Sequence, residues 1–368
     1  MTAILRWVKN YVRRAPSPPI RFPDTNYEVV SAAQKLEEEA FIDYETGKYY
    51  PVCIGDLGFG VSSTMYEHLM KGNPSHPGKR FVRTFLDSFT IPRAGGSHHC
   101  LVHTPLWGSL RDMIARNPYR DRFNDELLRE TLYRLFQAPD YLHTDRKIIH
   151  TDISANNILS EIHDDSMLDS FVRHELEHTS PRKQVGQSII YASRLFQWPP
   201  RGEPVLCDFG SAEKGDNENT RDAGPDKYRA PEVMLKMRWS YPVDIWNVGA
   251  MIWDIYEGKS LFSGQDPDGQ GYLTRAHLAE VIALLGPPPA EFIKRGKRSS
   301  EFFDDDGKWR DTVPIPTSTD LERLEENLEG KRKEFFIKFM RSMLQWVPEN
   351  RKTAKELLDD PWLNDRIE

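Results

Sequence analysis

The sequence predicts an α+β protein with two lobes, in which a small β-rich lobe precedes a larger, mainly helical lobe. The chain has 368 residues, more than one hydrophobic core usually supports. Two extended segments, Phe81–Ile91 and His98–His103, flank a glycine-containing turn, which is typical of a hairpin. From Leu127 onward the apolar residues recur mostly at helical spacing.

Composition narrows the classes of partner. Hydrophobic residues make up 39% and charged residues 29% of the chain, and no apolar run is long enough to span a membrane. The net charge of -7 argues against nucleic acid as a direct partner and suits basic substrates better. The 3 cysteines are too few and too scattered for a disulfide framework or a zinc site, which favours a reducing compartment.

Residues 1–43 form a basic, proline-rich leader followed by a short predicted helix. The first 14 residues carry basic and apolar side chains and no acidic one, which suits either an amphipathic organelle-import sequence or a disordered arm. Four prolines within 15–24 predict an extended linker, and Gln34–Ile42 predicts a charged helix.

The small lobe is predicted over 44–103 and contains a glycine-rich stretch, Leu57–Thr64. Its small residues leave backbone N–H groups exposed enough to cover a triphosphate, although a G-x-G sequence also occurs in plain turns. Thr104-Pro105-Leu106-Trp107-Gly108 breaks the strand pattern, so the sequence predicts a hinge there and a large lobe over 104–368.

Within the large lobe, the helix beginning near Leu127 is interrupted by Pro139, which predicts a kink or an early end there. Residues 160–203 are polar and predict a surface insertion with a partial helix at Leu168–Leu176. A short buried strand follows at Val205–Cys207. Further helices are predicted at Val243–Tyr256, Ala276–Leu285, Glu334–Trp346 and Ala354–Leu358.

The chemistry is predicted in two short loops. In Ile149–Leu159, Asp152 and Asn157 lie five residues apart, so a carboxylate and an amide can face one reaction site. Asp208-Phe209-Gly210 follows a buried strand, an arrangement that can direct a carboxylate at a metal ion. Each pattern alone also occurs in ordinary polar turns, and their order along the chain gives them meaning.

In that order the motifs resemble a eukaryotic protein kinase, most closely the SR-protein kinase family, which phosphorylates serines in Arg-Ser-rich splicing factors. The resemblance runs from about Tyr49 to Trp362. The closer resemblance is carried by Tyr49-Tyr50-Pro51-Val52 with Ile54-Gly55-Asp56, by His150-Thr151-Asp152-Ile153, and by Val243-Asp244-Ile245-Trp246-Asn247-Val248-Gly249 followed by Glu257-Gly258. Ala230-Pro231-Glu232 follows the general protein-kinase pattern. The resemblance implies a two-lobed protein-kinase-like fold, here with a truncated small lobe.

The resemblance also implies roles for individual residues, with ATP and Mg²⁺ as cofactors. Asp152 would be the catalytic base, Asn157 a ligand of the second Mg²⁺ and Asp208 the principal Mg²⁺ ligand. Further matched positions are Gly58, Gly60 and Ser62 in the loop over the ATP phosphates, Thr104 and Leu106 at the adenine hinge with His103 as gatekeeper, and the structural residues His150, Asp244, Glu232 and Arg351. Glu232 and Arg351 match a buried ion pair of the family.

The sequence departs from the family at two phosphate-binding positions. After Thr64 the chain passes directly to a segment that resembles the second half of the regulatory helix, so the strand that carries the phosphate-binding Lys and the helix turn that carries its Glu partner have no counterpart. No Lys lies within Gly58–Thr64, and Lys71 is better explained as a solvated residue at a helix end. Ser154 replaces the Lys of the catalytic loop. Either the protein has degenerated, or the sequence lacks an internal segment through faulty splicing or gene modelling. Ser154 and Pro139 lie outside that gap and favour degeneration.

The predicted function is that of an ATP-dependent Ser/Thr kinase acting on basic Arg-Ser-rich proteins. The alternative is a catalytically impaired pseudokinase that acts as a binding module, and a small-molecule phosphotransferase fits the motifs less well. The acidic run Asp304–Asp306 either contributes to substrate docking or is a solvated loop. We expect a monomer located in the cytoplasm and nucleus, with organelle import as the alternative that the leader leaves open.

Overall fold

The computed structural model describes most of the chain from Ser63 onward and a short N-terminal part. The described residues are 22–23, 25–36, 39, 63–93, 96–117, 121–186, 188–194, 202–310, 313–317 and 320–366. The glycine-rich stretch with Gly58, Gly60 and Ser62, and most of Gln34–Ile42, therefore lie outside the described residues.

The fold is α+β, with short strands concentrated in the first 214 residues. The strands are β1 (Phe85–Arg93), β2 (Gly96–His103), β3 (Leu106–Ser109), β4 (Ile148–Ile149), β5 (Ile158–Glu161), β6 (Arg182–Val185), β7 (Ser188–Tyr191), β8 (Pro204–Leu206) and β9 (Glu213–Lys214). The sheets are β1-β2, β3-β5-β8, β4-β9 and β6-β7.

The helices dominate the second half of the chain. They are α1 (Ser63–Met70), α2 (Leu110–Ala115), α3 (Asp125–Leu135), α4 (Gln137–Tyr141), α5 (Ser166–Glu177), α6 (Pro231–Met234), α7 (Pro242–Glu257), α8 (Thr274–Leu285), α9 (Ala290–Ile293), α10 (Ser299–Phe302), α11 (Leu321–Leu324), α12 (Gly330–Met343) and α13 (Ala354–Leu358). Among the described residues, no helix combines the length and apolar composition needed to cross a bilayer.

Contacts divide the chain into two compact units. One contains the described residues of 1–60, 89–102 and 163–199, and the other those of 61–88, 103–162 and 200–368. Most of the predicted insertion 160–203 thus groups with the N-terminal part of the chain. The lobe boundary between residues 103 and 104 stays a prediction.

The predicted hairpin is present as β1-β2, but its first strand starts at Phe85 instead of Phe81. A 3-10 helix, Pro77–Phe81, ends four residues before the start of this strand. It begins with proline, because the first helical N–H needs no partner. The predicted break after Thr104 was partly wrong, since Leu106–Ser109 forms a strand that pairs with β5.

The interruption of the helix near Pro139 is present. α3 ends at Leu135, α4 begins at Gln137, and a wider turn at Leu142–Arg146 completes the segment. A proline ring removes one helical hydrogen bond and collides with the preceding turn, so the change in direction is expected. The segment leads directly into β4 and the loop that contains Asp152.

Helix α7 is the centre of the larger unit. Every residue from Val243 to Glu257 is buried, as the apolar composition on all faces predicted. Gly249 lies against Met343 and Leu344, where an added Cβ would approach their side chains to 3.1–3.2 Å. Helix α12 therefore packs closely on α7.

Glu257, the last residue of α7, carries a buried carboxylate that is only partly satisfied. Its Oε2 accepts a hydrogen bond from Asn327 Nδ2 at 2.9 Å, whereas Oε1 has no partner among the described residues. Burial raises the pKa of Glu257, and the nearby Glu325 carboxylate adds to the increase although the Asn327 bond opposes it.

We expect the Glu257→Gln variant to be more stable than the parent protein at pH 7 by about 1 kcal/mol. A carboxyl group whose pKa is raised on folding costs stability once the pH exceeds the folded pKa, and glutamine removes that cost. Urea denaturation between pH 4 and 8 measures the effect. The difference should shrink as the pH falls towards the ordinary glutamate pKa, and a difference that is constant with pH would exclude ionisation as its cause.

Candidate active site

The backbone of the loop that follows β4 is held by one buried carboxylate. Asp244, in the first turn of α7, accepts hydrogen bonds from the N–H groups of His150 at 2.8 Å and Thr151 at 2.7 Å. The imidazole Nε2 of His143 lies 2.8 Å from the same Oδ2 that His150 contacts. Bonds to an ionised acceptor are stronger than neutral ones, so Asp244 fixes the loop conformation from below.

Thr151 takes a left-handed backbone conformation with a φ of 70°, which is rare for a β-branched residue. The hydroxyl of Thr151 donates to the carbonyl oxygen of Ser211 at 3.0 Å, and its N–H is bound by Asp244. These contacts offset the strain. The turn at Thr151 directs the next residue, Asp152, into a cavity, which is a common location for backbone strain.

Asp152 and Asn157 contact each other directly. Asn157 Nδ2 donates to the backbone oxygen and to Oδ2 of Asp152, both at 2.9 Å. Burial raises the pKa of Asp152, while the nearby His150 and the Asn157 bond lower it and the Asp208 charge raises it again. Because both amide hydrogens of Asn157 face Asp152, its Oδ1 is left to accept from, or coordinate, another group.

Asp208 follows β8 and is placed by its neighbours on both sides. Its φ is 61°, and Gly210 N–H donates to its Oδ1 at 3.0 Å. Phe209 is buried, with its ring 4.9 Å from the His150 ring and 5.7 Å from the Tyr66 ring of α1. The packed aromatic side chain anchors the loop, and the Asp208 side chain remains exposed.

Two hydrogen bonds join the loop of Asp208 to the loop of Asp152. The N–H of Cys207 donates to Asn157 O at 2.7 Å, and His150 Nε2 lies 2.9 Å from Cys207 O. His150 Nδ1 accepts from Asp152 N–H at 3.3 Å, and burial lowers the pKa of His150, so the ring is neutral and bridges the two loops. Asp152, Asn157 and Asp208 are thereby brought to one region.

The donor atoms in this region fit a hard divalent cation. A carboxylate from Asp208 and an amide oxygen from Asn157 are the oxygen ligands that Mg²⁺ prefers, and Mg²⁺ usually keeps several waters and binds few protein groups. Asp208 and Asn157 would hold the ion, which leaves Asp152 for proton transfer.

The predicted hinge residues lie between β2 and β3. Thr104 is exposed, and Leu106 begins β3 opposite Glu161 of β5. The His103 ring lies 5.0 Å from the Tyr66 ring, and its Nδ1 is 3.0 Å from Thr84 O. Burial lowers the pKa of His103, and the positive charge of Arg83 lowers it further.

Glu232 and Arg351 form a fully buried ion pair. The two guanidinium Nη atoms donate to the two carboxylate oxygens at 2.7 Å each, and the side chains are 1% and 0% exposed. Arg351 also donates to the backbone oxygens of Pro242 and Gln345 at 3.0 Å each. The pair therefore ties α6, the start of α7 and the C-terminal segment together.

A cavity of about 850 Å³ lies beside Asp152 and Asn157. Ser154 is buried at its edge and brings a hydroxyl where the resemblance implies a Lys. Three cations line the cavity. The side chain of Arg221 pairs with Glu213, and that of Lys227 pairs with Asp254 at 2.8 Å. The backbone N–H of the third cation, Arg111, donates to Ala155 O at 3.2 Å. The cavity can accept a polar segment of another molecule next to the Asp152 carboxylate.

Several residues of this region were missed by the sequence analysis. His143 and Tyr66 have no local signature, because they contribute only through contacts with distant segments. Arg83 carries a signal, since it is the one charged residue within the mainly apolar segment Phe81–Leu86. The contacts of Asp304–Asp306 add little support for a role in substrate docking. Asp304 accepts from backbone N–H groups of its own turn, and Asp306 pairs with Lys308.

The chain is similar in sequence to protein kinases. The family model for the protein kinase domain matches residues 80–363. A serine/threonine protein kinase of Aspergillus fumigatus is 37% identical over 97% of this chain and 98% of the relative. The serine/threonine-protein kinase SRPK of Physarum polycephalum is 26% identical over 89% and 92%, and the serine/threonine-protein kinase AFC2 of Arabidopsis thaliana is 30% identical over 72% and 59%.

The Aspergillus alignment extends over 401 residues, which exceeds the 368 residues of this chain. Part of that relative must therefore be aligned with gaps in this chain. The relative therefore has residues for which this chain has no counterpart.

Proposed function

We propose that this chain, which belongs to the protein kinase family, transfers the γ-phosphoryl group of ATP to serines in Arg-Ser-rich proteins. Its relatives are consistent with the SR-protein kinase branch of that family. The observation that carries this proposal is the direct contact between Asp152 and Asn157 in a loop that is hydrogen-bonded to the loop of Asp208. A purely structural loop would not need an acid with a raised pKa beside two oxygen ligands that suit a metal ion.

In the proposed reaction, Asp152 orients the substrate hydroxyl and accepts its proton. The serine oxygen forms a bond to the γ-phosphorus as the bond from that phosphorus to the β,γ-bridging oxygen breaks, and ADP leaves. A bound Mg²⁺ supplies charge neutralisation on the phosphates, with Asp208 and Asn157 as its protein ligands. His150 and Asp244 act as positioning residues, since they hold the loop and do not face the substrate.

The resemblance to SR-protein kinases supports basic Arg-Ser-rich substrates, as does the relative named SRPK. An acidic chain with a net charge of -7 is compatible with a basic protein partner. We further propose that the protein is a monomer of the cytoplasm and nucleus that binds neither nucleic acid nor membranes directly.

Transfer of label from ATP to an Arg-Ser repeat peptide tests this proposal. We expect the parent protein to phosphorylate the peptide slowly, and the Asp208→Ala and Asp152→Ala variants to lose the activity, because they lack a metal ligand and the base respectively. A peptide with Lys in place of Arg tests the need for guanidinium groups. A peptide with Ala in place of Ser gives the background.

Incorporation that is equal in the parent protein and the Asp208→Ala variant would contradict transfer by this site. The alternative function, a pseudokinase that binds partners, predicts that outcome together with retained binding of the Arg-Ser peptide. Ser154, which leaves the catalytic loop without its cation, is the observation in favour of that alternative.

A further inference from the structure

Arg83 lies beside the loop of Asp208. It is located between the 3-10 helix Pro77–Phe81 and strand β1, and its backbone N–H donates to Leu206 O at 2.8 Å. The preceding Val82 forms a parallel bridge with Leu206. Leu206 is the last residue of β8 and is followed by Cys207 and Asp208, so the backbone fixes Arg83 next to the residue that would hold Mg²⁺.

The hydrogen-bonding capacity of the Arg83 guanidinium group is only partly satisfied. Its Nε is fully buried and has no hydrogen-bond partner among the described residues. The group is within hydrogen-bonding reach of the Cys207 thiol. No described carboxylate is close enough to Arg83 to form an ion pair.

The neighbours of Arg83 place its charge between the hinge and the metal ligands. Its positive charge acts on the Tyr66 hydroxyl, the His103 imidazole and the Cys207 thiol. His103 immediately precedes the hinge residue Thr104, and Cys207 immediately precedes Asp208. Arg83 is therefore near residues that adjoin both the predicted hinge and the predicted metal ligand.

The other cations of the same segment are directed elsewhere. Lys79 donates to the backbone oxygens of Met70 at 3.1 Å and Gly72 at 2.9 Å. Arg80 is exposed over the Phe81 ring at 5.1 Å, and Lys71 is exposed at the end of α1. Arg83 therefore has a position that none of its cationic neighbours shares.

We propose that Arg83 is the phosphate-binding cation of this chain and contacts the phosphates of the nucleotide in place of the Lys that the sequence lacks. The proposal rests on the proposed function, because it assumes that the site takes ATP. The Nε of Arg83 is buried without a hydrogen-bond partner among the described residues, which costs stability in the free protein. A phosphate removes that cost and gains charge-assisted hydrogen bonds, for which guanidinium geometry is well suited.

Binding of Mg-ATP and of adenosine to four purified full-length proteins, measured by titration calorimetry, tests the proposal. The proteins are the parent chain, Arg83→Gln, Arg83→Lys and the matched control Arg80→Gln. We expect Arg83→Gln to weaken ATP binding roughly 10- to 100-fold, since a hydrogen bond to a charged group is lost. Adenosine affinity should change less than about twofold, because adenosine has no phosphate.

Arg83→Lys should bind ATP with intermediate affinity, and Arg80→Gln should match the parent protein. Thermal melts supply a second readout. Without ligand, Arg83→Gln should melt no lower than the parent, because it removes a buried Nε that has no hydrogen-bond partner among the described residues, yet ATP should raise its melting temperature less. If the Gln variant does not fold, the ratio of ATP to adenosine affinity in Arg83→Lys decides the question.

The proposal is overturned if Arg83→Gln leaves ATP affinity unchanged, if it weakens ATP and adenosine equally, or if the parent protein does not bind ATP. The outcome is separate from that of the proposed function. ATP binding that depends on Arg83 without peptide phosphorylation would support Arg83 and contradict transfer, whereas phosphorylation that is insensitive to Arg83 would do the reverse.

Discussion

Replacing Arg351 by Met is expected to lower the free energy of unfolding by about 3–5 kcal/mol, because it leaves a buried carboxylate without its partner. Glu232 is 0% exposed and receives both of its 2.7 Å side-chain bonds from Arg351. The substitution also removes the donors to Pro242 O and Gln345 O and the guanidinium that stacks 5.0 Å from the Trp246 ring. Methionine keeps much of the side-chain volume, so the effect measures lost charge more than lost packing.

Urea denaturation of matched variants separates the ion pair from general effects of removing arginine. Arg295→Met is the control, because Arg295 pairs with Glu349 at the surface, where the side chains are 40% and 61% exposed. That pair should contribute less than about 1 kcal/mol. The double variant Glu232→Gln/Arg351→Met should recover part of the loss, since no charge remains buried. Similar losses for Arg351→Met and Arg295→Met would contradict a structural role for the buried pair.

The sequence predicts best those elements whose residues alone determine their environment. Helix α7 is apolar on all faces, so its burial and its bounds could be expected to within a residue. Strand β6 could not be predicted in the same way, because Arg182 and Lys183 are atypical of a buried strand. Arg182 is buried between the rings of Tyr27 and Tyr191, at 4.2 and 4.7 Å, and Tyr27 is distant from it in sequence.

The residues of the candidate site likewise divide into those that the sequence predicts and those that depend on distant contacts. Asp152, Asn157 and Asp208 could be identified because the spacing of each motif is fixed by the chemistry of its loop. The contributions of His143 to Asp244 and of Arg83 to the Cys207 region depend on tertiary contacts across 101 and more than 120 positions of the chain, respectively. Motif spacing contains no information about such contacts, although a charged residue within a mainly apolar segment can indicate one.

Replacing Ser154 by Lys is expected to raise the rate of phosphoryl transfer on the order of 100- to 1000-fold, the range lost when one preorganised group that stabilises transition-state charge is removed. Ser154 lines the cavity of about 850 Å³ that also contains Asp152 and Asn157, so a lysine side chain has room to extend towards the reacting groups. The backbone contact of this residue, from Asn157 N–H to Ser154 O at 2.9 Å, does not depend on its side chain.

Steady-state phosphorylation of the Arg-Ser peptide measures this gain, and two variants make it specific. Ser154→Met has a side chain of similar length without charge and should not gain activity, and Ser154→Lys/Asp208→Ala should be inactive because the metal ligand is lost. Equal rates for the Lys and Met variants would mean that the missing charge does not limit the reaction. A gain with Lys that also requires Arg83 would indicate that the two cations act on one transferred group, which is expected if Arg83 binds the nucleotide phosphates.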